Sequence, residues 1–276
     1  MVKNTEVAPV SVVIPTYRDG DALRRALVSV ENQTLQPAQV IVVDDGSPDD
    51  NADKVCAASS LKTVQLITLN QNVGPGEARN AGIAASRERF IAFLDADDEW
   101  HPEKLERQMS VMLEPGAPLL TGHEKGFDGI SWPKLSEPVK RSPIQRRSIL
   151  LSNCASISTV IIKKDAIKYL FSPAYAGEDY VFVAANVLSG APSALLNQIL
   201  ARADKEAFGA GGLSGRLHAM QLGEMRARDF LLREGLITKS EHAAVLVWSL
   251  LKYCRRVVIV SFRRAMSWLA GKRNSK

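Results

Sequence analysis

Val10-Ser-Val-Val-Ile14 and Val40-Ile-Val-Val43 are two β-branched runs, interrupted only by Ser11, the first closed by Pro15 and the second by Asp44-Asp-Gly-Ser47. Between them, Ala22-Leu-Arg-Arg-Ala-Leu-Val-Ser-Val30 carries apolar residues at helical period, with Asp21 placed to cap its N-terminus. Strands without polar alternation are those buried on both faces, so the pattern predicts a β-α-β unit in a parallel sheet. It then repeats. Residues 49–60 read as a helix, Thr63-Val-Gln-Leu-Ile-Thr-Leu69 as a strand, 76–86 as a helix and Phe90-Ile-Ala-Phe-Leu94 as a strand. Such a fold gathers ligand chemistry at the carboxyl ends of its strands, where Pro15-Thr-Tyr17, Asp44-Asp-Gly-Ser47 and Asp95-Ala-Asp-Asp98 all fall.

The last of these is electrostatically costly. Three carboxylates within four residues at the tip of a buried strand repel one another, and a cation between them relieves the repulsion. Hard oxygen donors suit Mg²⁺ or Mn²⁺, which commonly reach a nucleotide through one or two carboxylates and the phosphate oxygens.

The 276 residues carry a net charge of +5 and are 46% hydrophobic, enough for a sizeable core. The charge is uneven. No acid follows Glu241, while eight Lys and Arg residues do, which leaves the preceding chain at −3. Basicity therefore belongs to a tail and not to a nucleic-acid groove, and no nucleic-acid partner is expected. Cys56, Cys154 and Cys254 are widely spaced and form neither a disulfide framework nor a zinc pattern. The first nine residues show no signal-peptide character, so the expected location is cytoplasmic.

Residues 115–150 read as irregular connection with short strands at most. Ser156–Ile162 is expected as a strand, Lys164–Leu170 as a short helix and 178–188 as a helix led by Glu178 and Asp179. Residues 208–215 read as a glycine-rich loop able to close over a ligand. In the tail, Ala243, Leu246, Val247, Leu250, Cys254, Val257, Val258, Ala265 and Trp268 share one helical stripe opposite Lys252, Arg255, Arg256 and Arg263. The basic residues interrupt any run of the ~20 apolar residues a span requires, which favours a helix lying at a membrane surface. A helix docked on the body or on a twin chain is the competing reading.

Val12-Val-Ile-Pro-Thr-Tyr17, Val42-Val-Asp-Asp-Gly-Ser47, Asn72-Val-Gly-Pro-Gly-Glu-Ala-Arg-Asn-Ala-Gly82 and Phe93-Leu-Asp-Ala-Asp-Asp98 together resemble the family 2 glycosyltransferases. The resemblance covers residues 10 to about 110 and narrows beyond them to Gly177-Glu-Asp179. It implies the GT-A fold: α/β, a Rossmann-like, mostly parallel sheet flanked by helices, here with a C-terminal helical extension. It further implies a nucleotide site at Pro15, Thr16, Tyr17, Asp45, Arg79 and Asp95, with Asp97 and Asp95 for Mn²⁺ or Mg²⁺. Asp179 takes the family's catalytic-base position, while Asp98 and Glu99 fall outside direct metal contact. Asp44 is expected to tie down its loop, and Asn80 and Gly82 to serve helix-to-sheet packing. Glu178, Arg216 and His218 are candidates for acceptor or diphosphate contact. The family's QxxRW motif is absent from the sequence, which favours single addition over processive synthesis.

The expected organisation is a donor-binding half (1–115), an acceptor and catalytic-base half of the same domain (116–235) and a basic amphipathic helical segment (236–276). The expected activity is inverting, metal-dependent transfer of one sugar, from a donor that is a UDP-linked or other nucleotide-diphospho-sugar, to a glycan or lipid-linked acceptor in cell-surface polysaccharide or lipopolysaccharide assembly. The enzyme would sit peripherally on the cytoplasmic face of the membrane. A non-catalytic nucleotide-sugar or membrane-binding module is the alternative.

Overall fold

The computed structural model describes residues 7–127, 131–135, 138–172, 177–203 and 213–253, with side chains of 213–220 excluded. Residues 1–174 with 178–208 form one compact unit and residues 209–276 with 175–177 a second.

The first unit is built on four parallel strands. β1 (Val7–Thr16) lies between β2 (Gln36–Asp44) and β4 (Phe90–Phe93), and β3 (Val64–Thr68) flanks β2. The chain therefore winds outward from β1 to β3 and returns to β1's other edge. That reversal of direction opens a crevice beyond the strand ends, where such sheets bind ligands. The strand interiors are what the apolar runs require: Val12, Val13, Ile14 and Val40 to Val43 are fully buried. Helix α1 (Gly20–Glu31) buries Leu23, Ala26, Leu27 and Val30. Its cap is Asp19 and not the expected Asp21, because the Asp19 carboxylate accepts the Ala22 N–H at 2.9 Å. Helix α2 (Asn51–Ala58) precedes β3, and α3 (Pro75–Ala85) packs on β1. Gly82 permits that approach: a Cβ there would stand 2.3 Å from Val13 Cγ1.

The other half of the sheet is mixed, and here sequence and structure diverge. From β4 the order runs β8 (Ile161–Lys163), β6 (Leu120–Phe127), β9 (Ser193–Ala203) and β5 (Asp98–Trp100), with β7 (Arg141–Pro143) also on β9. β8 is antiparallel to β4 and β6, whereas β6 and β9 are parallel. Thus 115–150 holds an eight-residue strand as well as α5 (Arg146–Leu151), after α4 (Lys104–Met112).

The expected strand over 156–162 is instead a 3₁₀ turn at Ile157–Thr159 followed by short β8. Side chains take its carbonyls: Trp100 Nε1–H donates to Ser158 O at 2.8 Å and Gln108 Nε2 to Thr159 O at 2.9 Å. Likewise the expected helix over 164–170 is a single turn, Lys164–Ala166. The Asn186 amide accepts the N–H groups of Lys168 and Tyr169 at 2.8 and 3.2 Å and donates to Tyr169 O at 2.9 Å, which diverts the backbone from helical bonding. Asn186 belongs to α6 (Glu178–Leu188), which forms where expected.

The second unit contains α7 (Leu213–Arg233) and helical residues 239–253, α8. Gly235, at φ 68°, ends α7 with N–H bonds back to Leu232. Thr238 and Glu241 then cap α8 reciprocally: Thr238 N–H reaches Glu241 Oε2 at 2.8 Å and Glu241 N–H reaches Thr238 Oγ1 at 3.2 Å. Gln221 and Arg228 of α7 both donate to Ser249 Oγ of α8, which gives the helices a buried polar seam. α7 and α8 belong to the same unit. Residues 204–212, with most of the glycine-rich loop, and 254–276, with most of the basic stripe, lie outside the described residues.

Candidate active site

A cleft of ≈ 430 Å³ opens at the carboxyl ends of β1, β2 and β4. Pro15, Thr16 and Tyr17 reach it from β1, Asp45 from the turn after β2, Arg79 from α3, and Asp95 and Asp97 from the turn after β4. Seven residues expected at a nucleotide and metal site on sequence grounds therefore meet in one place. Asp19, Asn72, Gly74 and Pro75 also line it and were not singled out as ligand contacts. Of these, the Asn72-Val-Gly-Pro run was the available signal.

Hydrogen bonds between loops hold the cleft open. Asp44 accepts both the N–H and the hydroxyl of Ser47, at 3.2 and 2.5 Å, and so ties down its own loop as expected. Ser47 Oγ in turn accepts the Arg18 N–H at 2.9 Å, linking the ends of β2 and β1. The Asp45 carboxylate does more than line the cleft. Its two oxygens accept Val73 N–H and Gly74 N–H, each at 2.8 Å, and thereby fix the start of α3. Gly74 takes φ 94°, a region side chains disfavour. Tyr17 stands 40% exposed at the rim, with the Arg18 guanidinium 4.9 Å over its ring.

Arg79 is the fastener of the acidic end. It is 4% exposed, so it is not a solvated helix arginine. One terminal nitrogen donates to Asp95 Oδ1 at 2.6 Å and the other to Glu178 Oε1 at 3.0 Å, while its guanidinium lies 5.3 Å over the Phe171 ring. Its Nε–H has no hydrogen-bond partner among the described residues. Burial pushes the Asp95 pKa upward, but the Arg79 charge and hydrogen bond outweigh it and hold the carboxyl below its ordinary value. Asn80 does not simply pack: its amide donates to Phe171 O and accepts Phe171 N–H, both at 2.9 Å.

Asp95, Asp97 and Asp98 each offer an oxygen within 4.8 Å of the others, a donor set that fits a hard divalent cation. Asp98 is already engaged, by Lys125 Nζ at 2.5 Å and by the Ser158 hydroxyl. Burial is the main cause that raises its pKa, to about 6. Neither Lys125 nor Ser158 was anticipated, since β6 and a 3₁₀ turn bring them in from segments without a readable motif.

Asp179 opens α6 beside Glu178, and Asn153 Nδ2 donates to its Oδ2 at 3.4 Å. Its pKa lies above the ordinary aspartate value, first through desolvation and then through the charges of Glu178 and Asp95. Asp179 is thus electrostatically coupled to the acidic cluster without lining the cleft itself. Arg216 and His218 fall within α7, but their side chains lie outside the described residues.

Comparison with known proteins gives this geometry its context. A family profile described as Glycosyl transferase family 2 matches residues 11–171, more than half of the chain. The chain belongs to glycosyltransferase family 2. This family 2 glycosyltransferase is 30% identical over 174 residues to an uncharacterised glycosyltransferase of Haemophilus influenzae, covering 63% of this chain and 69% of that one. It is 31% identical over 173 residues to the UDP-Glc:alpha-D-GlcNAc-diphosphoundecaprenol beta-1,3-glucosyltransferase WfgD of Escherichia coli, covering 62% and 66%. The chain spans less than half the length of other curated relatives.

Two solved structures share the fold of this glycosyltransferase. One is S. aureus TarS 1-349 in complex with UDP-GlcNAc, with TM-score 0.63 and 20% identity, covering 87% of this chain and 71% of that one. The other is the Pyrobaculum calidifontis mannosyltransferase PcManGT in complex with GDP-Man and Mn²⁺, with TM-score 0.65 and 14% identity, covering 96% and 79%. The glycosyltransferase's α/β architecture, a mostly parallel mixed sheet flanked by helices, is therefore that of GT-A enzymes, and a helical C-terminal part follows it.

Proposed function

We propose that this glycosyltransferase takes one sugar from a UDP-linked donor and adds it, with inversion, to a glycan or lipid-linked acceptor in cell-surface polysaccharide or lipopolysaccharide assembly. The observation that carries the reading is the single cleft joining an aromatic and a carboxylate at one end, Tyr17 and Asp45, to the acids Asp95 and Asp97 at the other. A nucleoside diphosphate has that same polarity: a flat, hydrogen-bonding base and a doubly charged tail. The names of WfgD and of the TarS complex, which specify UDP-Glc and UDP-GlcNAc, support a uridine donor. The share of the curated relatives devoted to succinoglycan and teichuronic acid supports the polysaccharide setting.

Tyr17 supplies a face for the base, and Asp45 has lone pairs left for a ring N–H after binding Val73 and Gly74. Thr16 and Pro15 close the floor. Arg79, on the cleft wall and bound to Asp95 and Glu178, would offset the charge of the nucleotide. Asp95 and Asp97 would hold Mn²⁺ or Mg²⁺, which when bound supplies positive charge to the diphosphate as it leaves. Asp179 accepts the proton of the acceptor hydroxyl as that oxygen attacks the anomeric carbon. A raised pKa makes it a better proton acceptor than an ordinary aspartate. Single displacement at that carbon inverts its configuration.

The C-terminal segment suits a peripheral contact on an anionic cytoplasmic leaflet, which would bring a lipid-linked acceptor to the cleft. Among the described residues no helix is long and apolar enough to cross a membrane. Val247, Leu250 and Leu251 are at least half exposed on α8, ahead of the basic run.

Isothermal titration with UDP and Mn²⁺ tests the donor site. Saturable binding that depends on the metal and is lost in Asp97→Ala is expected. Failure of UDP, GDP and dTDP alike to bind would sink the metal-nucleotide reading.

A further inference from the structure

Asp98 is the acid that the proposed chemistry leaves unused, yet its carboxylate is buried and doubly hydrogen-bonded. It is 2% exposed, and its Oδ2 accepts from both Lys125 and Ser158. The same Ser158 oxygen accepts the Asp95 N–H at 3.1 Å, and Asp98 N–H closes the turn onto Asp95 O at 3.0 Å. Serine and lysine together therefore pin both ends of the segment that carries Asp95 and Asp97. Lys125 is 22% exposed and sits just past two register shifts in the β6–β9 ladder, at His123/Glu124 and Glu124/Lys125. Irregularities of this kind re-aim side chains next to active sites.

Three carboxylates within reach of one ion would compete for it, and all three would repel one another without it. Resting on the metal-nucleotide reading above, we propose that Lys125 is a positioning residue: by engaging Asp98 it leaves Asp95 and Asp97 as the ion's ligands and sets how tightly they bind it. Lys125 acts as the counter-cation of Asp98, as Arg79 does of Asp95. Deleting the Lys125 charge leaves the buried Asp98 carboxylate held by the Ser158 hydroxyl alone, without a charged partner, and an external cation can take that place. The site then binds a divalent ion more tightly, with a ligand set that now includes Asp98.

Mn²⁺ alone, titrated into the full chain and followed by electron paramagnetic resonance, separates the possibilities, with circular dichroism confirming that each variant is folded. Lys125→Met and Lys125→Gln are expected to lower the Mn²⁺ dissociation constant about tenfold. Lys125→Arg keeps the contact and remains near wild type. In the double variant Lys125→Met with Asp98→Asn, the net charge of the cluster is restored and Asp98 can no longer ligate, so affinity returns to within about threefold of wild type. Unchanged or weaker Mn²⁺ binding in both Lys125→Met and Lys125→Gln overturns the proposal. So does a double variant as tight as the single one, which would mean that Lys125 acts on the ion without Asp98. Normal Mn²⁺ affinity with weakened UDP binding in Lys125→Met would assign Lys125 to the diphosphate instead, and also overturns it. If wild type binds neither Mn²⁺ nor UDP with Mn²⁺, the metal-nucleotide reading fails too; failure confined to the variants leaves that reading intact.

Discussion

At the scale of single residues, Asp179, the proposed base, is where the reading becomes measurable. Desolvation and the neighbouring acids raise its pKa, so on lowering the pH it is protonated earlier than an ordinary aspartate. A protonated carboxyl cannot take the acceptor's proton. The acid limb of kcat/KM should therefore lie above the ordinary aspartate range, and Asp179→Asn should cut kcat about 10²- to 10⁴-fold. Nucleotide affinity, measured by titration, should hardly change. The stability effect has the opposite sign. A carboxyl with a raised folded pKa contributes stability below its unfolded pKa and loses it as the pH rises through the folded one, so Asp179→Asn should melt no lower than wild type at pH 8. Asp95, Asp97 and Asp45 were legible in sequence because acids gather just past apolar runs and those stretches resemble the family's motifs. Lys125 and Ser158 were not, since they are polar residues in polar segments and acquire meaning only when β6 and the 3₁₀ turn carry them beneath the Asp95–Asp98 turn.

At the scale of elements, the parallel half of the sheet was readable because burial on both faces forces continuous apolar runs, and β1, β2 and β4 obey that demand. The mixed half hides because side chains and neighbouring strands decide its backbone. β9 contains Asn197, Gln198 and Arg202 yet pairs with β5, β6 and β7. Asn186 cancels a helix that local spacing favours. Replacing it by Ala removes the partner of two N–H groups and one carbonyl in a partly buried stretch, so a loss of about 2–4 kcal/mol in urea unfolding is expected. Gly82→Ala tests the other half. Its added methyl would meet Val13 at 2.3 Å, so α3 must move off β1 or Val13 must repack. A cost of about 1–3 kcal/mol is expected by the same measurement. Because α3 also carries Arg79, the UDP affinity of that variant should fall even though residue 82 lines no part of the cleft. An unchanged affinity would show that Arg79 is positioned by its acids alone.

At the scale of the whole molecule, charge divides the chain more sharply than any motif does: −3 before the tail and +8 after Glu241. α7 and α8 turn Gln221, Arg228 and Ser249 toward one another and leave Leu222, Val247, Trp248, Leu250 and Leu251 with 40% or more of their surface exposed. A polar seam with apolar outer positions suits a boundary between water and lipid better than a free surface in water. Each basic residue near an anionic leaflet contributes about 1 kcal/mol, an attraction that salt screens. The full chain should therefore sediment with vesicles containing phosphatidylglycerol but not with pure phosphatidylcholine, and 0.5 M NaCl should weaken the binding without abolishing it, because the apolar contact remains. Replacing Arg255, Arg256, Arg263 and Arg264 together by Glu should release the protein from the anionic vesicles while leaving UDP affinity at the cleft intact. Binding equal on neutral and anionic vesicles, or unaltered by charge reversal, would remove the electrostatic argument and leave a second protein surface as the natural cover for these helices.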